Sequence, residues 1–517
     1  MYPGYWIKTQ PTKPAVIDSE SKMSVTYEQL DHRSNQLSQY LWEAGLRKGD
    51  HIALFMENNL RYFEVVWAAL RSGLFITPIN RYLSAEEAGY ITHDCEAKVL
   101  ITSFQLSEPA IDIPKYTPEC EIFLMVGGST EHYQNYEESI ADYSNQPLKE
   151  QPTGSLMLYS SGTTGKPKGI YRDLPKSTVD QGHSSFVPLQ QALWGLSQDT
   201  VYLSPAPLYH ASPIAFCLGV QSLGGTVVMM PKFNEQKALA YIDEFKVTHS
   251  QWVPTMFSRM LKLPEEVRNQ YSGQSHKVAI HAAAPCPKAV KEQMMNWWGP
   301  ILYEYYGGSE LNGLTHISPQ EWLEKPGSVG KPIVGIAHIC DENGNELPAG
   351  QPGKIYFELP VQNYSYYGDD AKTKDSFHPS HDNWTALGDV GYVDTDGYLF
   401  LTDRESFMII SGGVNIYPQE IEDTLILHPS VFDVAVVGVP NQDMGEEVKA
   451  VVQLIKGDFD QSVLEQELID YCHRSLAKFK CPKSVDFIDE IPRLPTGKLY
   501  KRILKDRYWG NKDSKIV

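Results

Sequence analysis

Short apolar runs enriched in β-branched residues recur from the N-terminus to about residue 300. They include HIALFM (51–56), KVLIT (98–102), VYLSPAP (201–207) and TVVMMP (226–231), and segments of helical spacing separate them. Runs of this length alternating with helices predict buried strands in parallel α/β layers. Past Pro326 the turns become richer in Gly and Pro, and GKIYFEL (353–359) with GYLFLTD (397–403) predicts a smaller antiparallel region. Beyond Arg404 the rhythm changes again. Pro418 suits the first position of a helix, FDVAVVGV (432–439) and VKAVVQLI (448–455) read as strands, and 461–476 reads as a helix. The expected fold is therefore α/β, with a boundary near 403–406. A large domain, 1–403, of layered α/β sheets and a small β region is expected, followed by a small α+β domain, 404–517.

Length agrees with that division, because 517 residues exceed what a single core usually organises. At 42% hydrophobic and 21% charged, the chain is neither disordered nor fibrous. Asp plus Glu number 64 against 45 Lys plus Arg, for a net charge of -19, and no basic patch interrupts the acidic balance. Such a surface repels a phosphate backbone, so no nucleic-acid partner is expected. The seven Cys (95, 120, 217, 286, 340, 472, 481) are scattered without a C-x-x-C pair and read as free thiols of a reducing compartment. The opening MYPGYWIKTQPTK lacks the apolar core of a secretory signal. The longest apolar stretch, 65–79, is broken by Arg71 and is too short to cross a bilayer. A cytoplasmic protein without an integral membrane segment is the expectation.

The densest chemical signal is YSSGTTGKPKGI (159–170). Gly lets backbone N–H groups approach a phosphate closely, the hydroxyls donate to its oxygens, and Lys168 supplies charge. It is not the G-x-x-x-x-G-K-[ST] loop, since Pro follows Lys166. Apolar strand character from 156 to 159 argues against a flexible Ser/Gly linker.

This loop resembles the phosphate loop of the adenylate-forming superfamily, which includes acyl-CoA synthetases, adenylation domains and firefly luciferase. Other stretches match in the family's order: PLYH (207–210), VPT (253–255), AAAP (282–285), YGGSE (306–310), GD (388–389), DR (403–404), IISGGVN (409–415) and PTGK (495–498). The resemblance covers nearly the whole chain. It implies ATP, Mg²⁺ and CoA as cofactors, a small-molecule carboxylic acid as substrate, and a two-step reaction. The carboxylate attacks the α-phosphate of ATP and releases pyrophosphate, and a thiol then attacks the mixed anhydride.

By resemblance, Ser160, Ser161, Gly162, Thr163, Thr164, Gly165 and Lys168 bind the phosphates, with Thr164 also among the catalytic residues. Ala283, Ala284, Glu304, Tyr305 and Tyr306 surround the adenine. Ser309, where relatives usually carry Thr, keeps the hydroxyl, and Glu310 holds Mg²⁺. Asp389 accepts from the ribose hydroxyls, and Arg404 donates to the sugar. Lys498 is the essential catalytic charge, reaching the acid and the α-phosphate together. Lys501 and Lys505 nearby are expected to be solvated. After pyrophosphate leaves, the small domain turns and presents the Gly412–Gly413 loop to the thiol arm, and Lys232 occupies a place that contacts CoA in some relatives. The pivot of relatives is Asp or Lys, whereas this chain has Ser406.

The acyl pocket implied by the resemblance is lined by His210, Ala211, Ser212, Ala215 and Ala282, with His210 also a catalytic candidate near the carboxylate. No Asp stands where amino-acid-activating relatives hold an α-amino group, and Tyr305 replaces a usual Gly. The expected substrate is a hydrophobic acid: aryl, steroid side chain, or medium to long-chain fatty acid. His378 and His381 form no convincing metal pair and are expected to face solvent. An acid:CoA ligase is the leading reading. An acyl-adenylate ligase loading a carrier-protein phosphopantetheine is the alternative, and a luciferase-like oxygenase or silent nucleotide binder is the third. A homodimer is left open.

Overall fold

The computed structural model describes residues 2–160, 166–182, 184–404, 407–412, 414–493 and 499–510. The chain divides into two compact units. The first is Met1–Trp252, Lys262–Ile280 and Asn363–Lys374; the second is Val253–Leu261, His281–Gln362 and Asp375–Val517.

In the first unit, a six-stranded sheet centres on His51–Phe55, which pairs in parallel with Phe75–Ile79 on one side and Ala97–Ser103 on the other. Every residue of His51–Phe55 and Phe75–Ile79 is buried. That two-sided burial is why these strands read as continuous apolar runs rather than alternating ones. The apolar stretch 65–79 is divided between the helix Arg61–Arg71 and the strand Phe75–Ile79, with Gly73 at φ +72° turning the chain between them. A second set of neighbouring strands runs Ser24–Thr26, Pro14–Asp18, Thr226–Met229, Val201–Ser204, His249–Trp252, parallel apart from the first hairpin. The expected strand over 156–159 is not one strand. Ser155–Leu156 joins the first sheet beside Phe75–Ile79, while Leu158–Tyr159 pairs with Gly169–Tyr171 in a three-stranded sheet. Met157, fully buried, is the point of exchange.

In the second unit, GKIYFEL and GYLFLTD do share an antiparallel sheet. Gly353–Glu358 and Leu399–Arg404 both flank Asp389–Val393 in it. The residues after 408 build their own sheet. In it Val431–Asn441 pairs antiparallel with Gly445–Leu454, and Ser484–Phe487 adds in parallel. Val434, Val436, Ala450 and Val452 pack on one face with Ile421, Leu425, Leu464 and Leu468. Ala435, Val437, Val439 and Val451 pack on the other with Ile491 and Leu504. Period-two alternation between two covered faces makes both strands apolar throughout. The helices Pro418–Leu425 and Gln461–His473 cover the first face, and Lys501–Trp509 the second. The sequence expectation carried the second of these to residue 476.

Two expectations change. Lys501 is buried at 5% exposure, with its Nζ 2.8 Å from Glu422 Oε1, instead of lying in solvent. Glu422 also accepts from the Val436 N–H at 2.6 Å, so the pair ties two helices to the sheet. His378 is buried rather than exposed. It donates from Nε2 to the Gly344 carbonyl at 2.9 Å and accepts at Nδ1 from the Ser380 N–H. Its neighbour His381 is exposed and stacks on Trp384 at 4.1 Å. Among the described residues, no helix is long and apolar enough to cross a membrane.

Truncating one partner of a buried ion pair leaves the other uncompensated. Lys501→Ala should therefore lower stability to urea by about 3 kcal/mol, and Lys501→Met with Glu422→Gln, whose amide oxygen can still accept from the Val436 N–H, should recover most of it. Asp423, one residue on, accepts from Gln419 Nε2 at 2.7 Å. Burial, reinforced by the Glu422 and Asp403 carboxylates against the pull of Gln419, pushes its carboxyl up to about 7. The native state then keeps a proton that the unfolded chain releases near pH 4, so this group costs stability increasingly as pH rises from about 4 to about 7. Asp423→Asn should gain on the wild type over that interval, by about 4 kcal/mol at its upper end, and the difference should level off above it. Denaturation midpoints across the pH series measure this.

Candidate active site

The phosphate-loop candidate is a hairpin whose neck is well defined. Gly169 pairs with Tyr159 and Ile170 with Leu158. The Ser160 N–H donates to the Lys168 carbonyl at 2.9 Å, and the Lys168 N–H donates to Ser160 Oγ at 3.2 Å. Ser160 and Lys168 thus face each other at the base of the loop. Ser161, Gly162, Thr163, Thr164 and Gly165 lie outside the described residues. The Lys168 ammonium is 3.5 Å from Asp369 Oδ2. The Lys372 backbone N–H, and then Lys168, hold the Asp369 carboxyl below the usual range. On the other side, the phenols of Tyr159 and Tyr90 donate to the two oxygens of Asp94 at 2.7 and 3.1 Å. Tyr90 also donates to the Pro167 carbonyl at 3.2 Å, which fixes the return arm of the loop. Burial and then Asp94 push the Tyr90 phenol up to about 12, so it remains a donor.

Elsewhere in this unit, His210 is the N-cap of the helix Ala211–Ser222, with its ring 4.2 Å from that of Tyr209. Pro213, Ile214, Phe216 and Cys217 are buried, while Ala211, Ser212 and Ala215 form a half-buried stripe at i, i+1 and i+4. Gln251 donates to the hydroxyl of Ser212, so the expected pocket residues carry one polar junction. Lys232 is exposed.

In the second unit three predicted nucleotide residues meet. The antiparallel register sets Asp389 opposite Arg404. Arg404 Nε donates to Asp389 Oδ1 at 3.1 Å, and the Tyr306 phenol donates to Oδ2 at 2.6 Å. Burial, and then Asp389, push the Tyr306 phenol well up, so it stays protonated. Four residues on, Glu310 is buried, and its Oε2 lies 2.9 Å from where a Cβ on Gly308 would stand. Leu311 follows at φ +51°, a left-handed conformation unusual for a side-chain-bearing residue. Ala283, in the predicted adenine-flanking loop, sits at φ +75° and is exposed, while Ala282 is buried and Ala284 half-buried. Ser309 is half-buried. Glu310 supplies a hard carboxylate oxygen in a buried position, a donor that fits Mg²⁺ bound jointly by one carboxylate and polyphosphate oxygens.

Glu304 is placed differently from its neighbours. Its Oε2 accepts from Lys291 Nζ at 2.6 Å, with His281 Nε2 at 3.4 Å, and all three side chains are buried. Burial, and then Lys291, hold the His281 imidazole well below its ordinary range, so it is neutral. The Glu304 carboxylate is thus engaged within the protein, and only its strand, Leu302–Tyr306, runs on toward Tyr306. Tyr305 is buried as well.

After residue 404, Gly412 takes φ +56° and donates its N–H to the Met444 carbonyl at 2.8 Å, and a Cβ there would strike the Met444 methyl. Gly413, the pivot candidate Ser406, and Lys498 with the preceding 494–497 lie outside the described residues. The residues on either side of 494–498 are described. Arg493 and Leu499 form a bridge, and Arg493 makes a bidentate pair with Asp433 at 2.5 and 2.6 Å.

The chain is similar to known proteins along nearly its whole length. The family description "AMP-binding enzyme" matches residues 5–367, and "AMP-binding enzyme C-terminal domain" matches 420–498. The fatty acid–[acyl-carrier-protein] ligase ScoC of Streptomyces coeruleorubidus is 30% identical over 520 residues, spanning 98% of this chain and 96% of its own. The 2-succinylbenzoate–CoA ligase of Bacillus licheniformis is 30% identical over 509 residues, spanning 96% of this chain and 98% of its own. Among solved structures, the anthranilate CoA ligase AuaEII in complex with anthranoyl-AMP superposes with a TM-score of 0.84 at 25% identity, covering 98% of this chain and 96% of that one. ATP-bound MatB from Rhodopseudomonas palustris gives 0.82 at 27% identity, covering 99% of each. The chain belongs to the AMP-binding enzymes. Within that family its class is the AMP-forming acyl-CoA synthetases.

Because a Cβ on Gly308 would meet both the Glu310 carboxylate and a methyl of Leu387, Gly308→Ala should cost about 1–3 kcal/mol in chemical denaturation through overpacking alone. Shortening Leu387 in the same chain (Leu387→Ala) should relieve part of that cost and leave the part due to Glu310.

Proposed function

We propose that the protein is an ATP-dependent acid:CoA ligase that activates a hydrophobic carboxylic acid as its acyl-adenylate, releases pyrophosphate, and transfers the acyl group to the CoA thiol. The observation that carries this reading is the meeting of Tyr306, Asp389 and Arg404 around one carboxylate, next along the chain to the buried Glu310. Asp389 would accept from the ribose hydroxyls, and Arg404 would donate to the sugar. Tyr306 is an aromatic surface for the adenine, with Ala283 and Ala284 beside it. Lys168 and the 160–165 loop would hold the phosphates, with Lys168 exchanging Asp369 for phosphate oxygens. Mg²⁺, when bound at Glu310, would neutralise polyphosphate charge.

Lys498 would stabilise the charge that grows as the carboxylate attacks the α-phosphate. His210, with Ala211, Ser212, Ala215 and Ala282, would line the acid's approach. Residues 404–517 would act as the small domain that turns after adenylation, pivoting near Ser406 and bringing Gly412 and Gly413 to the thiol arm, with Lys232 on the CoA path. The acid is aryl, steroid-side-chain or medium to long-chain aliphatic. Relatives acting on 2-succinylbenzoate and on fatty acids support that range without narrowing it. Transfer to a carrier-protein phosphopantetheine is the second reading, favoured by the 30% identity to a fatty acid–[acyl-carrier-protein] ligase.

The test separates the two half-reactions. Acid-dependent exchange of labelled pyrophosphate into ATP reads adenylation, and thioester formation from supplied acyl-adenylate reads transfer. Lys498→Ala should lower the first by about 10²–10³-fold and the second by less than about tenfold. Equal losses in both would contradict the role given to Lys498, and absence of acid-dependent exchange in the wild type would contradict the function.

A further inference from the structure

One buried amide gathers three strand exits of the first unit. Asn58 follows the strand His51–Phe55 and is 7% exposed. Its Oδ1 accepts from the Leu208 N–H at 2.9 Å, and its Nδ2 donates to the carbonyls of Ala206 at 3.1 Å and Met230 at 2.9 Å. Ala206 and Leu208 lie in the loop that leaves Val201–Ser204 and leads to His210. Met230 leaves Thr226–Met229, two residues before Lys232. The strand before Asn58 belongs to one sheet, and the other two strands belong to a second. The neighbours of Asn58 are fixed in turn. Glu57 accepts from Asn59 Nδ2 at 2.8 Å and from the hydroxyl of Ser103, at the end of the adjacent strand Ala97–Ser103.

Both donors of the amide and its oxygen are used, and each partner is backbone in a loop. The loop's own turn bond, from the His210 N–H to the Pro207 carbonyl, is long at 3.4 Å. The tie therefore stands at the carboxyl ends of parallel strands, where α/β folds place their ligand-binding groups. No other residue type of this size supplies the same set. Asp would set a carboxylate against two carbonyls, and Leu would leave three backbone groups without their partner.

We propose that Asn58 is a positioning residue for the acid and thiol ends of the reaction, setting the backbone of 206–210 and 230–232 so that His210 and Lys232 hold their places. This rests on the ligase reading above and adds a residue to it.

The test uses the full-length protein with Asn58→Asp, Asn58→Leu and Asn58→Ser. Each is measured for KM of ATP, of CoA, and of whichever acid supports the fastest pyrophosphate exchange in the wild type. Hydrogen exchange at the Leu208 amide is followed by mass spectrometry alongside. The expected result is a rise of about tenfold or more in KM for the acid and for CoA, KM for ATP within about twofold of the wild type, and faster exchange at Leu208 by a similar factor. A loss spread equally over all three KM values, or a fall in kcat alone, would overturn the proposal, as would unchanged protection of Leu208. Failure of all three variants to fold would also overturn it, in favour of a purely structural role. A wild type inactive with every acid would instead refute the ligase reading, and it would be seen before any variant is made.

Discussion

Asp389 has both carboxylate oxygens engaged, one by the Tyr306 phenol and one by the Arg404 guanidinium, and the geometry of the second unit's candidate site depends on that sharing. Asp389 and Arg404 come from successive strands, while Tyr306 comes from a strand 83 residues before Asp389. The register that places Asp389 opposite Arg404 brings two of them together, and the 2.6 Å bond from Tyr306 brings the third. A carboxylate that accepts one hydrogen bond on each oxygen keeps a further lone pair on each. That leaves it fit to accept from a sugar hydroxyl while its direction is fixed. The same bond orients the Tyr306 ring, so one interaction sets both a polar and an aromatic surface.

Around this point the protein keeps costly features. The strand that carries Tyr306 also carries Glu304, buried in a pair with Lys291 and with the neutral His281 3.4 Å away. Two side-chain-bearing residues, Ala283 and Leu311, adopt left-handed backbone conformations, one in the loop after His281 and one directly after Glu310. Buried ion pairs seldom add net stability, and left-handed backbone costs about 1–2 kcal/mol at each such residue. Lys22, Glu96 and Lys246 adopt the same conformation in the first unit, so the cost is not peculiar to this site; at Ala283 and Leu311 it falls on the segments flanking Tyr306 and Glu310, where it fixes local geometry. The polar tie of Asn58 has the same character in the first unit, where an amide rather than an ion pair does the holding.

Much of the fold was legible because its strands are buried on both faces. HIALFM and FDVAVVGV read as strands directly, and the change of rhythm after residue 404 matched a separate sheet with its own helices. The exchange of sheets at Met157 was not legible, since nothing local distinguishes one strand over 156–159 from two short ones in different sheets. Lys501 was misread for a related reason. A cation near the end of a chain looks solvated until its partner, Glu422, is brought to it by tertiary packing. For the site, Tyr306, Asp389 and Arg404 could be picked out by motif, but their hydrogen bonding to one another could not. Glu304 stands two residues before the YGGSE motif, yet its carboxylate belongs to Lys291, thirteen residues earlier on a neighbouring helix. Asn58 carried no signal at all, because an Asn after a strand is by default a turn residue.

The most direct test of the central claim is product analysis by mass spectrometry. Purified protein is given Mg-ATP and a panel of aryl, steroid-side-chain and medium to long-chain fatty acids, each with and without CoA. The account predicts AMP and acyl-CoA formed together with one class of acid, and only when CoA is present. Acyl-adenylate that accumulates and is indifferent to CoA would contradict it, and would direct the acyl group to a carrier-protein thiol instead.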